Sequence, residues 1–385
     1  AACAATGNDG RFYHFAFAYG RIEELHNRQS RMDKRSDLSV EILAPERYAE
    51  LEEFVARHPR GEFMQSPRWR LVKENWDYAA VVSRDAEGAI KGSMGVLIRK
   101  IPALHTALLY APRGPICDVH DWETIADLKA GVDQLAKQVH AHEFKMDPDI
   151  PMADGEFIAE MKKLGFVHSY GPDGFEGIQA RFNYRLYLEG RDEAALLANC
   201  SQGVRRNIRK AEKAGVEVKI VGEEALDDFV RIMQVTGERD GFSTRPKSYF
   251  VKFLRGLGEN VRLYAGYYQG KMISGAICTN YAGKTCYVYG ASDNSDREVM
   301  PNYLMQWEMI RWAVETGCTV YDFQGVSGNL DPDSHMYGLY RFKSGFRGSL
   351  DELAGEFDCI YSPSRKKLTD TALALRGWLR RHLHR

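Results

Sequence analysis

Along this chain the apolar positions switch repeatedly between a period of two and a period near 3.6, the signatures of strand and amphipathic helix. Leu38–Leu43 reads as a strand. Glu87–Ser93 reads as a hairpin turn running into an apolar strand, and Leu108–Tyr110 as the strand after it. An amphipathic helix over Ile125–His142 leads to a strand around Phe144–Met146, and a helix over Phe157–Leu164 closes on Gly165 and Phe166. The same order then returns. Gln269–Gly275 is a second hairpin turn and Tyr287–Tyr289 a second strand. Tyr303–Thr316 is a second helix leading to Val320–Phe323, and Leu339–Ser344 a helix closing on Gly345 and Phe346. Gly88 and Gly270 are 182 residues apart, Tyr110 and Tyr289 179, and Gly165 and Gly345 180. Several elements in one order at near-constant spacing mark an internal repeat.

The pattern therefore predicts an α/β (α+β) protein of two tandem copies, at 38–181 and 182–362. A tail at 1–37 precedes them; residues 1–31 match the rest poorly, and a native start at Met32 is expected. A basic helix over 363–385 follows, and its stripe of Leu368, Ala372, Leu375 and Leu379 is expected to pack on the first copy.

The chain has 385 residues, enough for two domains with their own cores. Fifty-two basic against fifty-three acidic residues give a net charge of -1, which excludes a generally cationic nucleic-acid coat but leaves room for a local basic site. The seven cysteines are scattered without a CxxC pair, so they read as reduced thiols of a cytoplasmic protein rather than a disulfide framework or zinc site. No metal and no cofactor are expected. No apolar run is long enough to span a membrane.

The order within each copy resembles the acetyltransferase (GNAT) fold, in which a splayed sheet opens a cleft for an acyl donor. Enzymes of that fold that use acetyl-CoA hold its pyrophosphate on a glycine-rich turn before the central helix, where backbone amides must come close to phosphate. The second copy has Asp296-Arg297-Glu298-Val299-Met300-Pro301-Asn302 there, bulky and partly acidic. The scaffold is present and the CoA turn is missing.

Several stretches resemble the Fem family of peptidoglycan-bridge aminoacyltransferases. They are Phe63–Lys73, Tyr110–Pro115 with Asp118, Ser201–Val216, Tyr321–Gly328 and Gly338–Phe346. Between Tyr249 and Tyr264 there is room only for a short helix and turn, so the chain resembles the FemX type that lacks a coiled-coil arm. The resemblance implies a monomer taking an amino acid from aminoacyl-tRNA to the stem peptide of a precursor, UDP-MurNAc-pentapeptide or lipid II, working in the cytoplasm or at the inner membrane face. An N-acyltransferase with another donor, or a binding protein for tRNA or precursor, stays open as an alternative.

The resemblance also implies roles for residues. Lys73, Arg245 and Tyr249, with Tyr110 and Tyr289, are expected to bind the precursor. Read alone, Lys73 is first a helix-end charge, and Arg245–Tyr249 is equally a helix start after Pro246. Lys343 and its neighbour Phe342 are expected at the transfer channel, with Asp118 as a candidate base. Read alone, Lys343 is a last-turn lysine ahead of a capping Gly345. Arg205, Arg206, Arg209, Lys210 and Lys213 make one helix strongly basic, a footprint for tRNA or a solvated face.

Overall fold

The computed structural model describes residues 39–383; the expected tail and the Met32 start lie outside them. Strand Val40–Leu43 (β1) leads to helices Tyr48–Arg57 (α1) and Trp69–Val72 (α2). Asp77–Arg84 (β2), Ile90–Ile101 (β3), Thr106–Ala111 (β4) and Ile116–Cys117 (β5) follow. Then come Trp122–Gln138 (α3), Ala141–Met146 (β6), Gly155–Lys163 (α4), Val167–Ser169 (β7) and Phe182–Tyr187 (β8). Helices Glu193–Asn199 (α5) and Gln202–Ala214 (α6) precede Glu217–Val221 (β9), Leu226–Asp240 (α7) and Lys247–Leu257 (α8). The chain continues through Val261–Tyr268 (β10), Lys271–Tyr281 (β11), Lys284–Ser292 (β12), Pro301–Glu315 (α9) and Val320–Val326 (β13). It closes with Tyr337–Ser344 (α10), Ser349–Glu352 (β14), Glu356–Ile360 (β15) and Pro363–Leu383 (α11).

Two sheets result. One runs β1-β2-β3-β4-β6-β15-β7 with β5 against β3, and the other runs β9-β10-β11-β12-β13-β8-β14. Position by position they correspond, and in each a parallel pair, β4 with β6 and β12 with β13, interrupts antiparallel neighbours. The repeat read from spacing is thus visible strand by strand. Its boundary is not: β8, from the junction, sits between β13 and β14, while β15, from the end, sits between β6 and β7. β8, at the start of the second copy, stays in the second sheet, whereas β15, from the end of that copy, crosses into the first. The expected unit 182–362 therefore loses residues 356–360 to the first sheet, because pairing partners and not chain proximity decide where a strand lies.

Local signals explain most helix limits. Ser201 caps α6 by accepting from the Val204 amide, and Gly215, at φ 82, ends it in the left-handed region where glycine has no steric penalty. The first long helix stops at Gln138 rather than at His142. His140 turns to φ 53, and His142 and Glu143 already belong to β6. Gly345 follows α10 as its cap in the right-handed conformation, and Arg347, at φ 62, is the left-handed residue beyond it.

One apolar core joins the halves: Phe63 and Trp69 pack edge-on or tilted against one another and against Phe253 of α8. Beside it lies a buried charge network. Arg185 pairs with Asp322 at 2.8 Å and Asp149 at 2.9 Å, and Lys284 bridges Asp149 at 2.9 Å and Glu62 at 3.1 Å. Burial alone would raise the Asp149 carboxyl, but Lys284 and Arg185 hold it well below the usual carboxylate range. α11 meets the first sheet through Lys366 and Glu143, 3.0 Å apart, but Leu368 and Leu375 are exposed. The expected burial of that stripe is not found.

Candidate active site

β12 and β13 are paired only from Lys284 with Val320 to Cys286 with Asp322. Beyond that they part, and the gap opens a cavity of about 1020 Å³ walled by Tyr287 and Gly290 on one side and Phe323 and Gln324 on the other. The parting has a local cause. β13 breaks register against β8 between Asp322 and Gly325, with Gln324 at φ 62. Asp322 pins this bulge, accepting from the Gln324 amide at 2.6 Å while its other oxygen accepts from Arg185. Gly325 must be small: a Cβ there would lie 2.6 Å from the Ala180 Cβ.

Lys343, on α10, reaches this bulge from behind. It is 3% exposed, and its Nζ donates to the carbonyl oxygens of Phe323 at 2.6 Å, Gln324 at 3.2 Å and Gly325 at 2.7 Å. Burial pulls its pKa down to about 7, against the opposing pull of Asp322. It also lines the cavity. This is no exposed helix-end charge. Phe342 lines the same cavity and stacks edge-on against Tyr303, 4.9 Å between ring centres. Arg297 and Arg341 stand exposed on its wall with no ion pair among the described residues.

Gln179 and Ala180 line both this cavity and a smaller one of about 250 Å³. The smaller cavity contains Asp147, buried at the end of β6. Asp147 accepts from the Tyr110 hydroxyl at 2.6 Å and the Arg113 amide at 2.9 Å, and burial raises its pKa to about 6. Sequence reasoning missed it. The signal lay in Lys145-Met-Asp147-Pro-Asp149, where carboxylates follow a strand that the repeat had already placed.

Asp118, the base expected from the sequence, lies apart from both cavities: it is exposed and caps a turn by accepting from the His120 amide at 3.0 Å. Tyr110, expected with the precursor-binding residues, likewise stands apart from the other four. It is buried, and its hydroxyl is occupied by Asp147 and Gln179.

The other four residues of that group meet. Lys73, at the end of α2, places its Nζ 5.0 Å from the Trp69 ring and 5.3 Å from the Tyr249 ring. The Arg245 guanidinium lies 5.4 Å from that same Tyr249 ring, and Tyr289 donates to the Tyr249 hydroxyl at 3.1 Å. Burial, then the charge of Arg245, lowers Lys73 to about 8. Neither cation has a carboxylate partner among the described residues. Two cations without carboxylate partners thus meet at one aromatic ring, one from each half of the chain, an arrangement whose chemistry suits an anion.

α6 buries Val204, Ile208 and Ala211 and leaves Arg206, Arg209, Lys210 and Lys213 exposed without ion pairs among the described residues. Arg205 departs from them. Its guanidinium turns back to the carbonyl oxygens of Ala198, at 2.7 Å, and Cys200, closing the end of α5.

The described residues contain no His, Cys, Asp and Glu cluster suited to a metal ion, and no helix long and apolar enough to cross a membrane. Residues 46–269 and 264–373 match the FemAB family. Proteins named lipid II:glycine glycyltransferase from Staphylococcus epidermidis and Staphylococcus aureus are 29% identical to the chain over 375 and 380 residues, covering 80% of it and 90% of each relative. The crystal structure of FemX superposes with a TM-score of 0.79 at 26% identity, covering 86% of this chain and 99% of that one. A tandem GNAT protein from the clavulanic acid biosynthesis pathway shares the fold alone, with a TM-score of 0.52 at 12% identity, covering 84% of this chain and 98% of its own. The architecture is thus tandem GNAT-like, and with the family match running through most of its length the chain belongs to the FemAB family.

Proposed function

We propose that the protein transfers an amino acid from aminoacyl-tRNA to an amine on the stem peptide of a peptidoglycan precursor, building an interpeptide bridge. The observation that carries this reading is the pair of unpaired cations, Lys73 and Arg245, held on Tyr249 between the two halves. It suits the diphosphate shared by UDP-MurNAc-pentapeptide and lipid II. The relatives named for glycyl transfer to lipid II support the same substrate class.

Aminolysis of an ester by an amine is downhill and needs positioning and charge stabilisation more than a nucleophilic side chain. The amine nitrogen attacks the ester carbonyl, the carbonyl–O3′ bond breaks, and the proton leaving nitrogen ends on the departing 3′ oxygen. The ester end of the tRNA enters the larger cavity past Arg297 and Arg341, with α6 meeting acceptor-stem phosphates through Arg206, Arg209, Lys210 and Lys213. Lys343, titrating near neutrality, places positive charge where the carbonyl and O3′ become negative. Asp147, raised to about 6 yet ionised at neutral pH, takes the proton from the attacking nitrogen on the side of the smaller cavity. It replaces Asp118 in that role.

Ribonuclease treatment tests the donor. Transfer should vanish with it and fall steeply with salt, since phosphate contacts release counterions. Saturable acetyl-CoA turnover without RNA would overturn the reading.

A further inference from the structure

The last helix begins on the body of the protein and then leaves it. Lys366 of α11 is paired with Glu143, and Thr369 is buried. From Asp370 to Leu375 every residue is exposed. Leu368, Leu373 and Leu375 are 53%, 49% and 57% exposed. A single exposed leucine needs no explanation, but Leu368 and Leu375, two turns apart on one side of the helix, with Leu373 exposed farther round it, call for one.

The charge of this helix is as uneven as its apolarity. Arg365, Lys366, Lys367, Arg376, Arg380 and Arg381 face Asp370 alone, a formal charge of +5 on α11 in a chain whose net charge is -1. Arg365 and Lys367 are exposed and have no ion pair among the described residues. Leu368, Ala372, Leu375 and Leu379 recur at four, three and four residues, the spacing of one helical stripe.

Three kinds of partner compete for such a face. RNA would use the charge and leave the leucines in water. A second copy of the chain would cover the leucines and set two clusters of like charge side by side. An anionic bilayer surface satisfies both: acyl chains take the leucines while lipid phosphates meet the arginines and lysines. We propose that α11 docks the protein on an anionic phospholipid membrane, lying in the headgroup region without crossing it. The argument rests on α11 alone and stands or falls separately from the transfer chemistry.

The test uses the full-length protein and sedimentation with vesicles. Binding to phosphatidylglycerol–phosphatidylethanolamine vesicles should be saturable and weakened by salt, with none to phosphatidylcholine alone. A combined Leu368→Gln, Leu373→Gln and Leu375→Gln variant should melt like the parent, because these side chains are exposed, and bind at least about tenfold more weakly. Arg365→Gln with Lys367→Gln should cost about fivefold for each charge removed. Absence of binding to the anionic vesicles, or undiminished binding of the triple leucine variant, would overturn the proposal. So would leucine-dependent self-association in ultracentrifugation without vesicle binding, which would make the face a contact between copies.

Discussion

Lys343→Met separates a group used in transfer from a group that merely braces the fold. Three carbonyl oxygens now share its ammonium, and leaving each unpaired in the interior costs about 1–3 kcal/mol. Against this stands the penalty of burying the charge. The unfolded chain keeps the Lys343 proton up to a pKa near 10.5, whereas the folded chain releases it near 7. At about 1.4 kcal/mol per unit, the ammonium destabilises the fold by ~5 kcal/mol below pH 7, and this penalty fades as pH rises towards 10.5. Methionine removes the penalty together with the hydrogen bonds. The two largely offset at neutral pH, so the variant should stay folded within a few kcal/mol of the parent. It should lose ground to the parent as the pH is raised. Transfer is another matter. A fixed positive charge facing the negative charge that develops at the carbonyl is worth on the order of 10²–10³ in rate, as an oxyanion-stabilising group is. Single-turnover transfer with both substrates saturating reads this directly, and thermal melts at pH 7 and 9 read the stability side. A folded Lys343→Met variant that transfers at the parent rate would show that Lys343 only closes the β13 bulge.

Arg245→Ala removes a charge-assisted contact worth ~1.5–3 kcal/mol, so calorimetry should show precursor binding weakened about 10- to 150-fold; unchanged affinity would remove Arg245 from the site. Precursor affinity should also fall as pH rises through about 8, where Lys73 loses its proton. The saturated rate should climb through about pH 6 as Asp147 ionises and decline above about 7 as Lys343 is neutralised, and Lys343→Met should abolish the decline. Combined Arg206→Gln, Arg209→Gln, Lys210→Gln and Lys213→Gln should shrink the salt dependence of tRNA binding in a filter assay. Arg205→Ala alone should lower the melting temperature and leave that dependence unchanged, since its guanidinium is engaged at the end of α5.

The repeat was legible because glycines and aromatic residues at turns and strand ends recur at almost fixed distance, and local spacing survives in sequence. The crossing of Glu356–Ile360 into the first sheet was not, since nothing local to that strand says which sheet will accept its backbone. The same division runs through the site. Lys73, Arg245, Tyr249 and Tyr289 were read from motifs and do meet in space. Asp147 escaped because its meaning lies in burial and in the Tyr110 hydroxyl 37 residues away. Asp118 was favoured for its neighbours in sequence, and sequence neighbours do not bury a carboxylate. Arg205 differs from Arg206 only in the direction it faces, back towards the preceding helix α5, whose last carbonyl oxygens it closes.

The central claim is that the amino acid comes from tRNA and goes to a cell-wall precursor. Incubating the purified protein with a mixture of charged tRNAs and either UDP-MurNAc-pentapeptide or lipid II, and weighing the products by mass spectrometry, tests it most directly. The account predicts an acceptor heavier by one amino-acid residue, formed only with charged tRNA and lost when Lys343 is replaced. An unchanged mass for both acceptors, with every tRNA charged and the protein folded, would contradict it.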